Sequence, residues 1–206
     1  LARILILILL FSTFAFGVLE FQYGKTYTAG YWTATGGLPG GNYYQYTVFI
    51  PNLSDIIDYG LFFQHGLLGR YNYDDMDGNK HYFSSNMDLF GLGVRLMILP
   101  HKDWYRYFVC EPRGYMYYGG YNQRGVLGQP NGEETNYTTK EDMLGGAIGL
   151  ALGGRIYPYG QIAFTVTEYA LGPLDPISGP KYDRPTNPTI FKTDIGVAIE
   201  AWLPQQ

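Results

Sequence analysis

What this chain lacks closes off several architectures. It has a single cysteine, Cys110, so no internal disulfide can staple it. Charged residues make up only 16% of its 206 residues, and no stretch is dense in Lys or Arg. With a net charge of −4, it has no electrostatic footprint for nucleic acid. Its 28 glycines follow no collagen period, and 17% aromatic residues argue against disorder. No apolar run approaches the ~20 residues a spanning helix needs.

The first residues differ from all the others. Arg3 precedes Ile4 to Phe11, and Ala15-Phe16-Gly17 closes the segment with a small-x-small ending. A basic start, a short apolar core and small residues at the end describe a secretory signal peptide. We read 1–17 as that signal and 18–206 as one β-barrel domain, with cleavage after Gly17. An exported chain without disulfides fits a bacterial envelope better than an animal secretion route.

The dominant feature beyond the signal is alternation. Leu144, Ile148, Leu150, Leu152 and Ile156 share one parity, while Gly145, Ala147, Gly149, Ala151, Gly153 and Arg155 share the other. Successive strand residues point to opposite faces, so one face is greasy and the other small or polar. Strands are expected at about 18–33, 43–51, 56–71, 82–99, 105–121, 144–156, 160–171 and 190–203. Met87 and Leu89 fall out of phase with Phe90 onward, which suggests a bulge there. Pro112 interrupts the fifth strand and cannot donate to a ladder.

The connections set a second tempo. Long stretches at 36–41, 72–81, 122–139 and 172–188 alternate with short turns at 52–55, 100–103 and 157–160. Outer-membrane barrels show this asymmetry, with tight turns on one side and free loops on the other. The polar parity is too small and glycine-rich for a solvated face, and it suits a narrow interior. Tyr23, Tyr31, Tyr44, Tyr59, Tyr71, Tyr118 and Tyr157 lie near the expected strand ends, where an amphipathic ring suits a membrane interface. The expected fold is all-β, an eight-stranded antiparallel up-and-down transmembrane β-barrel.

The region from about 18 to 203 resembles small eight-stranded outer-membrane proteins of the OmpA, OmpX and opacity-like type. The resemblance rests on the signal, the loop rhythm, the strand count and the closing strand from Thr193 to Leu203. It implies residence in the outer membrane of a Gram-negative-type bacterium and contact with outer-membrane lipid. Family members usually end on an aromatic residue read by the barrel-insertion machinery, a role that would fall to Trp202 here.

Candidate functional residues fall into two groups. The inward parity carries Glu20, Asp58, Glu111, Asp194 and Glu200, and with them Arg70, Arg95, Arg113, Arg155 and Lys192. Buried charges persist when paired, so these ten are expected to form a charge network that plugs the lumen. Tyr73, Tyr121, Tyr137 and Tyr182 lie in or beside the long connections and are expected to contact a surface protein or glycan. Lipid A deacylase barrels carry a His-x-Ser arrangement, which His65, His81 and His101 all lack. The carboxylates at 74–79 lack calcium-loop spacing, and Gly145-Gly146 opens no phosphate loop, so no cofactor, metal or catalytic site is expected. The favoured role is structural or surface interaction without an open pore. A small-solute porin or lipid-handling barrel comes second, and a soluble exported lipocalin-like barrel third.

Overall fold

A computed structural model describes residues 18–29, 41–50, 56–74, 78–97, 107–129, 132–156, 159–173 and 190–202. The signal segment 1–17 lies outside them. Eight strands form in chain order: β1 (Val18–Ala29), β2 (Gly41–Ile50), β3 (Ile57–Asp74), β4 (Lys80–Leu96), β5 (Phe108–Gly128), β6 (Glu134–Ile156), β7 (Gly160–Pro173) and β8 (Ile190–Ala201). Each pairs antiparallel with its neighbours, and β8 returns to β1, closing the barrel. Closure leaves no backbone edge within the wall, a condition for any sheet that crosses lipid.

The alternation decides which face is which. Along β6, Ala147 and Ala151 are buried, while Ile148 is 74% exposed. Leu61, Leu92, Met116, Ile162, Phe164 and Ile199 are exposed in the same way. The buried positions include Glu20, Gln45, Thr47, Gln64, Arg95, Arg113, Thr165 and Lys192. Greasy outside and polar inside is the reverse of a soluble barrel, and it removes the lipocalin-like reading.

Local details depart from the sequence expectations. The irregularity lies in β3, where the register with β4 shifts between Leu67 and Gly69. Met87 and Leu89 are in phase after all: both are buried inside the barrel. Pro112 is tolerated because the β4–β5 pairing ends at Arg95 and Arg113, one residue short of it. Gly24 and Gly196 face each other across β1 and β8, and a Cβ on Gly196 would come within 2.6 Å of the Tyr43 hydroxyl. Gly196 makes room for the Tyr43 side chain, and Gly24 for the close approach of the β8 backbone.

The loop rhythm is also rewritten. Residues 72–74 and 80–81 belong to β3 and β4, and 122–128 and 134–139 belong to β5 and β6. Two expected loops are thus mostly strand, closed by turns at Gly78 and Gly132, whose φ of 79° and 86° favour glycine. The short turn expected at 100–103 lies outside the described residues.

Candidate functional site

The lumen holds two polar layers and one apolar cluster. The layer nearer the short turns is built on two arginines. Arg113 grips Glu20 with both terminal nitrogens, at 2.7 and 2.6 Å, and reaches Glu111 at 2.8 Å. Arg95 donates through Nε to Asp58 at 2.9 Å, bonds Glu200, and stands 3.7 Å from Glu111. Gln161 bridges Glu111 and Glu200 at 3.0 and 3.1 Å, and the Trp202 indole N–H donates to Glu200. The Arg95 guanidinium also lies 4.0 Å from the centre of the Phe49 ring. Buried charges cost least when paired and hydrogen-bonded, and each of these acids has a donor.

The second layer lies further along the bore. Lys192 bonds Asp194 at 2.8 Å and also Gln64, with its ammonium 4.0 Å from the centre of the Tyr169 ring. Gln64 Nε2 lies 3.1 Å from Gln45 and 2.9 Å from the Tyr169 hydroxyl. Against this layer packs a cluster of Phe62, Met87, Leu89, Tyr115, Tyr117, Tyr121 and Met143. Strands β1 to β8 each contribute at least one buried side chain to the filling.

Eight of the ten expected lumen residues, Glu20, Asp58, Arg95, Glu111, Arg113, Lys192, Asp194 and Glu200, are buried inside. Arg155 is half-buried, and its Nε has no hydrogen-bond partner. Arg70 is a correction. The β3 bulge puts it opposite Ser84, which is opposite Arg124, and both of these are exposed. Its position leaves the inward row, so the expected five-to-five charge balance is not reached. Sequence reading also missed the apolar cluster. Tyr115 and Tyr117 shared the parity of Glu111 and Arg113, and that was the available signal.

Tyr121 is a second correction. It is 5% exposed, inside the lumen cluster, and offers no surface contact. Tyr73 lies on β3 opposite His81, and Tyr137 on β6 opposite Gly125. Tyr182 lies outside the described residues. His65 stands half-buried on the outer wall, its Nδ1 2.5 Å from Asp88. His101 lies outside the described residues, and no group of three metal-binding side chains occurs among them.

Above the closed wall a second feature emerges. The β2–β3 pairing stops at Tyr43 and Gly66, and the β6–β7 pairing begins at Met143 and Pro173. The β3–β4, β4–β5 and β5–β6 ladders continue past those points to Asp74–Lys80, Lys80–Gly128 and Gly128–Glu134. Four strands therefore project beyond the barrel as a sheet. Ser84, Arg124, Asn136, Thr138 and Lys140 are exposed on it.

This filling makes a testable statement about transport. Passage of a hydrated solute requires breaking buried ion pairs in two layers, at several kcal/mol each. Planar bilayers containing the chain are expected to show no large steady conductance. Stable open steps would overturn the plug.

No family model matches the chain, and no curated protein matches it. Solved structures do. A major outer membrane protein from Thermus thermophilus aligns with a TM-score of 0.51 at 14% identity, over 89% of this chain and 98% of that one. Ail, the attachment invasion locus protein of Yersinia pestis, gives 0.47 at 9% identity, over 89% and 97%. Neisserial surface protein A gives 0.43 at 8%, over 89% and 96%. A closed eight-stranded wall, apolar outside and plugged by polar groups inside, defines the class: a small outer-membrane β-barrel. The place of that class is the outer membrane of Gram-negative-type bacteria.

Proposed function

We propose that this barrel is a surface-interaction protein that uses its projecting four-stranded sheet as the contact element, and that it is neither an open pore nor an enzyme. The observation that carries the reading is the contrast between the two ends of the molecule. The bore is filled, while β3 to β6 are extended well beyond what closure of the wall requires. From Glu134 to Asp142, β6 has no second strand partner among the described residues. An unpaired edge carries free N–H and C=O groups, which favour protein contact. Tyr73 and Tyr137 lie on this sheet, and these two together with Tyr182 are the proposed contacts. The partner would be a surface protein or a glycan, and outer-membrane lipid and the insertion machinery would be met on the way.

Replacing 122–139 with a two-residue Asn-Gly turn tests the reading. Cells displaying this variant should lose adherence to panels of immobilised extracellular proteins and glycans, while the barrel still folds. Undiminished adherence would refute the role. The small-solute or lipid-handling alternative gains support only if cells lacking the protein show altered solute uptake or altered lipid composition.

A further inference from the structure

One polar patch on the outer wall serves neither the plug nor the projecting sheet. Lys25 and Asn42 are direct partners across β1 and β2, and Tyr44 and His65 are partners across β2 and β3. Lys25 and Tyr44 are exposed, and Asn42 and His65 are half-buried. Cross-strand partners hold their Cβ atoms about 5 Å apart, so Lys25 Nζ and Asn42 Nδ2 can address one acceptor. The His65 ring is held in place from two sides, by Asp88 at Nδ1 and by the Tyr44 ring at 5.1 Å. The Asn42 Oδ1 is buried and without a partner among the described residues.

An aromatic platform lies directly below this patch, toward the short turns. Phe21 and Tyr46 pack at 5.1 Å, and Tyr44 and Tyr46 at 6.1 Å. On the β7–β8 side of the wall the exposed polar pair is Glu168 and Thr193, bonded at 2.7 Å, which offers a carboxylate and no cation. On the β1–β3 side Lys25 adds an exposed cation, and the part-exposed Asp88 carboxylate is engaged by the His65 ring. A cation and two further nitrogens above stacked rings match an amphiphile with an anionic head and an apolar tail.

We propose that Lys25, Asn42 and His65 hold the phosphate of an anionic membrane lipid, whose acyl chain lies along Phe21, Tyr44 and Tyr46. The phosphate accepts hydrogen bonds from the lysine ammonium and the asparagine amide, with the imidazole as a third contact. The carboxylate of Asp88 orients that imidazole and does not touch the lipid. This lipid site is independent of the sheet reading above, because β1 and β2 do not extend into the projecting sheet.

The test compares spin-labelled phosphatidylglycerol with spin-labelled phosphatidylcholine on the full chain in phosphatidylcholine vesicles. The motionally restricted fraction of the spectrum reports each lipid's association. The intact chain should prefer phosphatidylglycerol by roughly fivefold, the scale of one basic residue at an anionic headgroup. Lys25→Met and His65→Gln, separately and together, should bring the ratio toward one. Glu168→Gln on the other side should leave it unchanged. The exposed position of Lys25 keeps the Lys25→Met variant foldable, and circular dichroism checks each variant. The proposal fails if the intact chain shows no preference, or if the preference survives both substitutions. It also fails if Arg124→Ala with Lys140→Ala removes the preference instead.

Discussion

Arg95→Ala is expected to lower the unfolding free energy of the barrel by about 3–5 kcal/mol, the scale for removing one partner of a buried ion pair. Arg95 serves Asp58 and Glu200 directly and stands near Glu111. Its loss leaves Asp58 without the cation that holds its Oδ2, while its Oδ1 is already buried without a hydrogen-bond partner. Urea titration of the chain in phospholipid vesicles measures the change. Arg124→Ala is the control, because that arginine is exposed and its loss should change stability by no more than about 0.5 kcal/mol. The Arg95 variant should still show no pore. Arg113 with Glu20, and Lys192 with Gln64, continue to cross the bore.

Leu61→Arg probes the other face. Leu61 is 49% exposed and lies midway along β3 between Ile57, at the short-turn end, and His65, at the polar patch. A guanidinium there sits near the middle of the hydrocarbon, at a cost of about 2–4 kcal/mol. The same change at Arg124's level, Ser84→Arg, should cost less than about 1 kcal/mol. For a soluble barrel the order would differ: an exposed leucine replaced by arginine would be neutral. Equal effects at Leu61 and Ser84 in vesicle titrations would contradict a lipid-facing wall.

The parts of the fold legible in the sequence are those where two solvents meet across one sheet. In residues 144–156 lipid lies on one side and the lumen on the other, so parity separates Ile148 from Ala147. The same contrast put Lys192, Asp194 and Glu200 on the inward face. Where both faces leave the membrane the contrast vanishes. Residues 122–139 carry polar groups such as Asn122, Arg124, Asn136 and Lys140, and the run looks like a loop. In the structure it is two strands of a hairpin held by the β5–β6 ladder.

Two other misses have local causes. A single extra residue near Leu68 shifts the β3 register, and no residue type announces it. Arg70 therefore moves from the expected inward row to the row of Ser84. Met87 and Leu89 were hidden by the rule that apolar means lipid-facing, and Tyr121 by being read with the polar run that follows it. The bore has its own packed interior, and its half nearer the projecting sheet is filled by side chains of that kind.

Single-cysteine spin labelling tests the inverted wall most directly. With Cys110 changed to Ser, labels would be placed in turn at Leu61, Leu92, Ile148 and Ile162 on the outer face, and at Gln45 and Thr165 in the lumen. Outer labels should relax with lipid-soluble oxygen and ignore a water-soluble nickel chelate, and lumen labels should respond weakly to both. Strong relaxation of the outer labels by the nickel chelate, in chain reconstituted into vesicles, would contradict the account.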